Sequence, residues 1–229
     1  MSKIVSIVIP VYNERNTLLD VLEAVYKSDT GGLEKEVIVV DDYSTDGTRE
    51  LLSELKREGV KIFFNAKNIG KGFSVRTGLA KSMGDFVIIQ DADLEYNPNE
   101  YLKLLKPLIS GEAEVVYGSR FLNSSFIFKT YYIANRFLTW FSNIFTGLNL
   151  TDMETCYKCF TRAALKKILP SLSANRFEIE PEITAAVSKS KFKVKEIPIS
   201  YQRRSYNEGK KIGWRDGVKA IIAIIKYSL

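Results

Sequence analysis

The sequence predicts an α/β protein with a mostly parallel central sheet and helices on both of its faces. Runs of β-branched residues alternate with amphipathic segments through the first half of the chain, and this alternation is typical of parallel sheets. Polar clusters follow the runs, at the strand ends where such sheets bind ligands. The chain of 229 residues, 45% hydrophobic and 26% charged, is long enough for one domain with a sizeable core.

Five strands and four helices are predicted in the first half. The strands are continuous apolar runs, as expected for strands buried on both faces, at 4–11, 36–40, 60–64, 85–89 and 114–117. The helices lie between them. Asn16 or Thr17 is expected to cap the first, Asp46 caps the second, the third covers 70–83, and Asn97 with Pro98 opens the fourth.

The second half is less regular. An aromatic-rich helix is predicted within 126–146, and its stripe of Phe137, Phe141, Ile144 and Phe145 is expected to be core. A polar loop follows at 151–155, a strand at 192–201 and a basic loop at 203–211. The helix from Trp214 has an apolar face of Val218, Ile221, Ile222 and Ile225. That helix either packs back on the sheet or lies on a membrane surface.

The net charge of +6 is localised. The segment 188–211 accounts for it, because its basic residues outnumber its acidic ones while the rest of the chain is balanced. A localised excess of this kind indicates an anionic partner, which could be nucleic acid, anionic lipid or a phosphorylated substrate. No window reaches the roughly 18–20 apolar residues that span a bilayer, so we expect a cytoplasmic protein, peripheral at most on the cytoplasmic membrane face.

Several classes of site are excluded by composition. The chain has no histidine, which excludes a histidine-based triad, a histidine-containing zinc site and a histidine pH switch. It has neither a P-loop nor a GxGxxG motif after the first strand. Cys156 and Cys159 form a single CxxC, and we expect two small buried apolar residues there.

The strand ends carry the candidate chemistry. Asp91 and Asp93 stand two positions apart in a turn, so both carboxylates could face Mg²⁺ or Mn²⁺, with Glu95 as a third oxygen ligand. Asp41 and Asp42 could accept hydrogen bonds from a ribose or a base. Lys71, between two glycines at a predicted helix start, favours phosphate, although a simple turn and cap fits equally well.

These motifs together resemble family 2 glycosyltransferases of the GT-A fold, in the group that acts on polyprenyl phosphates. The matching segments are IPVYNE at 9–14, VDDYSTDG at 40–47, NIGKG at 68–72, QDADL at 90–94 and GSR at 118–120. The resemblance implies a catalytic domain over 1–213, with a nucleotide-sugar half at 1–120 and an acceptor half at 121–213. The helix at 214–229 would stand apart from it.

The resemblance also implies residue roles. The nucleotide would be held by Pro10, Tyr12, Glu14, Asp41, Asp42, Lys71 and Asp91. A divalent metal, Mg²⁺ or Mn²⁺, would be bound by Asp91, Asp93 and Glu95. Phosphates of donor and acceptor would be bound by Arg120, Arg204, Lys210 and Lys211. The catalytic residues would be Asp93, Arg120, Asp152 and Arg204.

The activity that follows is inverting, metal-dependent transfer of a hexose to dolichyl or other polyprenyl phosphate. Mannose and glucose, and GDP and UDP donors, stay open, although the loop at 153–157 looks closer to the glucosyltransferase branch. A phosphate acceptor needs positioning and charge neutralisation more than a base. If the acceptor is instead a saccharide hydroxyl, a carboxylate base is required, and Asp152 is the candidate, with Glu154 behind it. A basic protein that binds nucleic acid is the alternative from another class, but its acidic strand ends would repel phosphates.

Overall fold

The computed structural model describes residues 2–122, 130–202 and 214–229. It contains one seven-stranded sheet in the order β3-β2-β1-β4-β6-β5-β7. The strands are β1 Ile4–Val11, β2 Glu34–Asp41, β3 Val60–Phe64, β4 Phe86–Ile89, β5 Val115–Ser119, β6 Lys158–Thr161 and β7 Val194–Pro198. Every neighbouring pair is parallel except the two that β6 makes, so the predicted fold class is confirmed.

Eight α-helices surround the described sheet. They are α1 Leu18–Lys27, α2 Thr48–Glu54, α3 Lys71–Lys81, α4 Tyr101–Ile109, α5 Thr130–Thr146, α6 Arg162–Ile168, α7 Ile179–Lys189 and α8 Trp214–Ser228. The core lies where the β-branched runs of β1, β2 and β4 meet the helices. In α3, a Cβ at Gly78 would lie 2.3 Å from Val8 Cγ1, so glycine allows this helix to pack closely on the sheet.

Of the predicted caps, Asn97 is confirmed: its side chain accepts from the Asn99 amide at 3.1 Å at the start of the 3₁₀ turn Pro98–Glu100 that leads into α4. The caps of α1 and α2 differ in detail. Thr17 is the N-cap of α1, but its side chain makes no capping hydrogen bond. Its hydroxyl donates instead to Glu14 Oε2 (2.9 Å) and to the Ala92 carbonyl (2.8 Å). Asp46 precedes the N-cap of α2, Gly47, but its carboxylate accepts from the Thr48 amide at 3.0 Å.

The strand β6 and the helices α6 and α7 were not predicted. β6 runs antiparallel between β4 and β5 and is made from the CxxC segment, in which Cys156 and Cys159 are free and buried. Burial raises the pKa of both thiols above the usual range. The expectation that these cysteines are buried apolar residues is confirmed.

The outer helices correct two expectations. In α5, Phe141 is partly buried, but Phe137, Ile144 and Phe145 are exposed rather than core. In α8, Ala220, Ala223 and Ile224 are buried, whereas Val218, Ile222 and Ile225 of the predicted apolar face are exposed. α8 packs against α7 and α5. The helix therefore packs back on the domain and also presents an apolar face outward.

The predicted basic loop at 203–211, with Arg204, Lys210 and Lys211, lies outside the described residues. Within the ranges described, no helix is both long enough and apolar enough to cross a membrane.

Candidate active site

The strand ends predicted to carry chemistry meet at one edge of the sheet. β2, β1 and β4 are parallel neighbours, and β5 runs in the same direction because β6 is antiparallel to both β4 and β5. The carboxyl ends of these strands therefore face the same side. Asp41 ends β2, Asp91 follows β4, and Arg120 follows β5.

Asp41 and Asp42 are buried and already hydrogen bonded. The Asp41 carboxylate accepts from Arg49 Nη1 at 2.8 Å. The Asp42 carboxylate accepts from the amides of Ile69 (3.0 Å) and Gly70 (2.7 Å), just before α3. Asp42 thus occupies the two backbone amides that directly precede the helix, whereas the predicted phosphate contact at Lys71 stays a prediction. Both aspartates therefore make their contacts within the protein, behind the carboxyl end of β2.

The other predicted nucleoside residues lie at the end of β1. Pro10 is buried in β1 beside Val40 of β2, and Tyr12 is half-buried in the turn after it. Glu14 is buried, and its amide donates to Thr48 Oγ1 at 3.0 Å. Since the Thr17 hydroxyl joins Glu14 to the Ala92 carbonyl, this turn is tied to the segment that carries Asp91 and Asp93.

The Asp91–Asp93 segment is positioned by its neighbours. Gln90 is buried and accepts from the hydroxyls of Tyr101 and Tyr157, each at 2.7 Å, while its amide group donates to the Asp91 carbonyl at 2.8 Å. The Asp93 carboxylate accepts from the Glu95 amide at 3.1 Å. The Glu95 carboxylate accepts from the Tyr201 hydroxyl. The turn is therefore held on both sides.

Lys71 lies directly on Asp91. Its ammonium is 2.8 Å from Asp91 Oδ1 and 3.2 Å from Glu180 Oε1, and Glu180 in turn pairs with the fully buried Lys158 at 2.5 Å. Burial disfavours the charged lysine, but the two carboxylates outweigh it and raise the pKa of Lys71 well above its usual value. Lys71 is thus a permanent cation at the predicted diphosphate site.

Arg120 and Asp152 form a buried ion pair. The Asp152 carboxylate accepts from the Arg120 amide (3.0 Å), from Nε (2.6 Å) and from Nη2 (2.7 Å). The loop is fixed from β7, where the Glu196 carboxylate accepts from the amides of Thr151 (2.8 Å) and Asp152 (3.0 Å). The structure therefore brings the predicted phosphate ligand and the predicted base together as partners.

Glu154 lies half-buried behind this pair, with its Oε1 atom fully buried and without a hydrogen-bond partner in the parts of the chain that the structure describes. Burial first, and then the carboxylate of Glu180, raise the pKa of Glu154 to about 7. It is the one predicted acid here with a strongly raised pKa among the described residues.

The donor set fits a divalent metal bound together with a substrate. Within residues 2–122, 130–202 and 214–229, no three acidic or cysteine side chains form a ready-made metal cluster, so Asp91, Asp93 and Glu95 do not form the predicted set of three in this conformation. Mg²⁺ commonly takes only one or two carboxylates and completes its shell with substrate phosphates and water. Asp91 and Asp93 offer those two carboxylates.

The fold and the acidic sheet edge define a glycosyltransferase of the GT-A fold. The profile of "Glycosyl transferase family 2" matches residues 6–169, and the chain therefore belongs to that family.

Two relatives are similar over most of this chain. The UDP-N-acetylglucosamine–dolichyl-phosphate N-acetylglucosaminyltransferase of Methanococcus voltae is 28% identical, over 86% of this chain and 85% of its own length. The dolichyl-phosphate beta-glucosyltransferase of Saccharomyces cerevisiae is 29% identical, over 86% of this chain and 66% of its own length.

Among solved structures, glucosyl-3-phosphoglycerate synthase from Mycobacterium tuberculosis shares the fold. Its complex with Mn²⁺, UDP and phosphoglyceric acid has a TM-score of 0.73 and 17% identity, covering 99% of this chain and 78% of that one. Its complex with Mg²⁺ and UDP also has a TM-score of 0.73, with 18% identity, covering 99% and 79%.

Sequence reasoning missed the residues that hold this site in place: Arg49, Gln90, Lys158, Glu180 and Glu196. All five are polar side chains that are buried or half-buried, and Lys158 is fully buried. The partners of Lys158, Glu180 and Glu196 lie at least about twenty residues away in sequence, and no local pattern marks such pairings. The one available signal was a lysine between two buried cysteines, since a lysine is almost never fully buried unless it is paired.

Proposed function

We propose that this family 2 glycosyltransferase transfers a hexose from a nucleotide sugar to a polyprenyl phosphate such as dolichyl phosphate, with inversion and with Mg²⁺ or Mn²⁺. The names of the two relatives described above support the acceptor, since each is named for dolichyl phosphate. The metal is supported by the paired carboxylates of Asp91 and Asp93, and by the Mn²⁺ and Mg²⁺ in the solved structures with this fold.

The observation that carries the proposal is the engagement of Asp152. A general base needs a carboxylate lone pair within reach of the substrate proton, whereas Asp152 is buried and receives three hydrogen bonds from Arg120. A phosphate acceptor is already anionic and needs no base. Asp152 then acts as a positioning residue that orients Arg120, and the saccharide-hydroxyl alternative loses its best candidate for a base.

The nucleotide-sugar donor is proposed to bind at the acidic edge of the sheet. Pro10, Tyr12 and Glu14 would contact the nucleoside, and Asp41 and Asp42 would hold the wall behind it. Asp91 and Asp93 would hold the divalent metal, which would supply charge neutralisation for the leaving diphosphate. Lys71, 2.8 Å from Asp91, would add a second cation there. In the acceptor half, Arg204, Lys210 and Lys211 are proposed to bind the acceptor phosphate together with Arg120.

The sugar is proposed to be glucose or N-acetylglucosamine from a UDP donor. One relative uses UDP-N-acetylglucosamine and the other transfers glucose, which agrees with the glucosyltransferase-like loop at 153–157. Neither of these two relatives is named for mannose. Because the chain belongs to a glycosyltransferase family, we assign its basic segment to a phosphate-bearing acceptor rather than to nucleic acid.

A donor screen tests the proposal. The protein is incubated with a short polyprenyl phosphate and one of three donors: UDP-glucose, UDP-N-acetylglucosamine or GDP-mannose. Each reaction is run with Mn²⁺ and with excess chelator, and the products are identified by mass spectrometry. We expect a UDP-sugar to give the glycolipid, and chelator to stop the reaction. The anomeric configuration of the product tests inversion. Turnover undiminished by chelator would exclude the metal, and a product only from GDP-mannose would exclude the proposed sugar.

A further inference from the structure

An outward apolar surface runs over two helices that pack against each other. In α5, Ile133, Phe137, Trp140 and Ile144 recur at one helical face, and in α8 Val218, Ile222 and Ile225 do the same. Their exposed fractions range from 38% to 60%. Large apolar side chains clustered in this way mark an interaction site on a folded protein, whereas isolated ones such as Met83 do not. We call these seven residues the outer surface.

The exposed charged side chains beside the outer surface that the structure describes on α5 and α8 are basic. Arg136 reaches back to the Thr151 carbonyl, so the cations that flank the surface are Lys219 and Lys226. Exposed apolar and aromatic side chains with a basic surround are typical of helices that lie in the headgroup layer of an anionic bilayer. A second copy of this chain would bring like charges together.

The inner face of α5 holds the loop at 150–153, which contains Asp152. Arg136 donates to the Thr151 carbonyl at 3.2 Å, and the Met153 amide donates to Thr139 Oγ1 at 3.0 Å. Asn143 makes two hydrogen bonds with the backbone of Leu150, of 2.8 Å and 3.2 Å. One helix therefore carries the outer surface on one face and the loop of Asp152 on the neighbouring face.

We propose that the outer surface docks on an anionic lipid bilayer, and that α5 thereby fixes the loop at 150–153, with the Arg120–Asp152 pair, at the height of the lipid phosphates. The choice of this partner rests on the proposed function, because a polyprenyl phosphate acceptor resides in the bilayer. The docking itself is measurable without any transfer reaction.

The test compares three full-length proteins: wild type, the double variant Phe137→Ser/Trp140→Ser, and the control Met83→Ser, which removes an isolated and even more exposed apolar side chain elsewhere. Co-sedimentation uses phosphatidylcholine vesicles with and without phosphatidylserine, at low and high salt. We expect wild type and control to bind the anionic vesicles at low salt. The double variant should bind at least about tenfold more weakly, since two large apolar side chains no longer leave water.

A second readout separates docking from chemistry. Transfer to polyprenyl phosphate embedded in vesicles should fall in the double variant, while transfer to a short acceptor in detergent stays at the wild-type rate. Unchanged vesicle binding by the double variant, or no binding by wild type at low salt, would overturn the proposal. So would a wild-type dimer that the double substitution dissociates. Absence of transfer by any of the three proteins, with vesicle binding as expected, would count against the proposed function alone.

Discussion

The Arg120–Asp152 pair is expected to stabilise the fold as well as to orient the site. Both side chains are less than a tenth exposed, so removing one leaves a buried charge without its partner. Such a loss costs about 3–5 kcal/mol, which for a chain of this length lowers the melting temperature by about 6–20 °C. Asp152→Ala measured by urea and thermal unfolding should show this loss, whereas Glu112→Gln, at the exposed pair with Lys195, should leave the melting temperature unchanged.

Kinetics of Asp152→Asn then distinguish positioning from base catalysis. If Asp152 only orients Arg120, the variant should raise the acceptor KM and keep the shape of the pH–rate profile. If Asp152 is the base, kcat should fall by about 10²–10⁴ and the acidic limb of the profile should disappear. A destabilisation by Asp152→Ala of less than about 1 kcal/mol, in the range of exposed pairs, would refute the reasoning about burial.

Three further predictions concern the site and its support. Lys71→Met should weaken UDP binding, because the diphosphate loses a cation. It should tighten Mn²⁺ binding in the absence of UDP, because the lysine no longer competes with the metal for Asp91. Equal Mn²⁺ affinity of variant and wild type, measured by electron paramagnetic resonance, would contradict this. Glu154 has a raised pKa of about 7. Between about pH 4.5 and pH 7 its carboxyl group is therefore protonated in the folded protein but ionised in the unfolded chain. Its destabilising effect, at most about 3 kcal/mol, therefore develops as pH rises from about 4.5 to about 7 and persists above. Glu154→Gln should stabilise the protein at about pH 8 but not at about pH 4, and an equal melting-temperature shift at both would refute it. Gly72→Ala should lower the free energy of unfolding by about 1–3 kcal/mol, because the new Cβ would lie 2.6 Å from the Ala174 carbonyl oxygen. An unchanged midpoint of urea unfolding would show that the backbone shifts to accommodate it.

The parallel half of the fold could be predicted from sequence because each element carries its own signal. The β-branched runs of β1, β2 and β4 are buried whatever surrounds them, and the acidic residues that follow them mark the ligand edge. The strand β6 carries no such signal. It is short, it contains Lys158, and it becomes a strand only because β4 and β5 lie on either side of it.

The contacts within the site could not be predicted either, because they too depend on packing between segments that are distant in sequence. Asp152 could be singled out in a polar loop, but its partner follows β5, more than thirty residues earlier. Lys71 was expected to meet phosphate, whereas its contacts with Asp91 and Glu180 depend on how α3 and α7 pack. In α5 and α8 an apolar stripe predicts an apolar face, but only tertiary packing decides that Ile224 is buried while Ile222 is exposed.

The choice of acceptor is tested most directly by a matched pair of lipids. The protein is given a radiolabelled UDP-sugar, Mn²⁺, and either a short polyprenyl phosphate or the corresponding polyprenol without its phosphate, with an oligosaccharide in a third reaction. We predict that label reaches only the polyprenyl phosphate, because the Arg120–Asp152 site serves an acceptor that is already anionic. Label on the polyprenol or on the oligosaccharide, with none on the polyprenyl phosphate, would contradict that role.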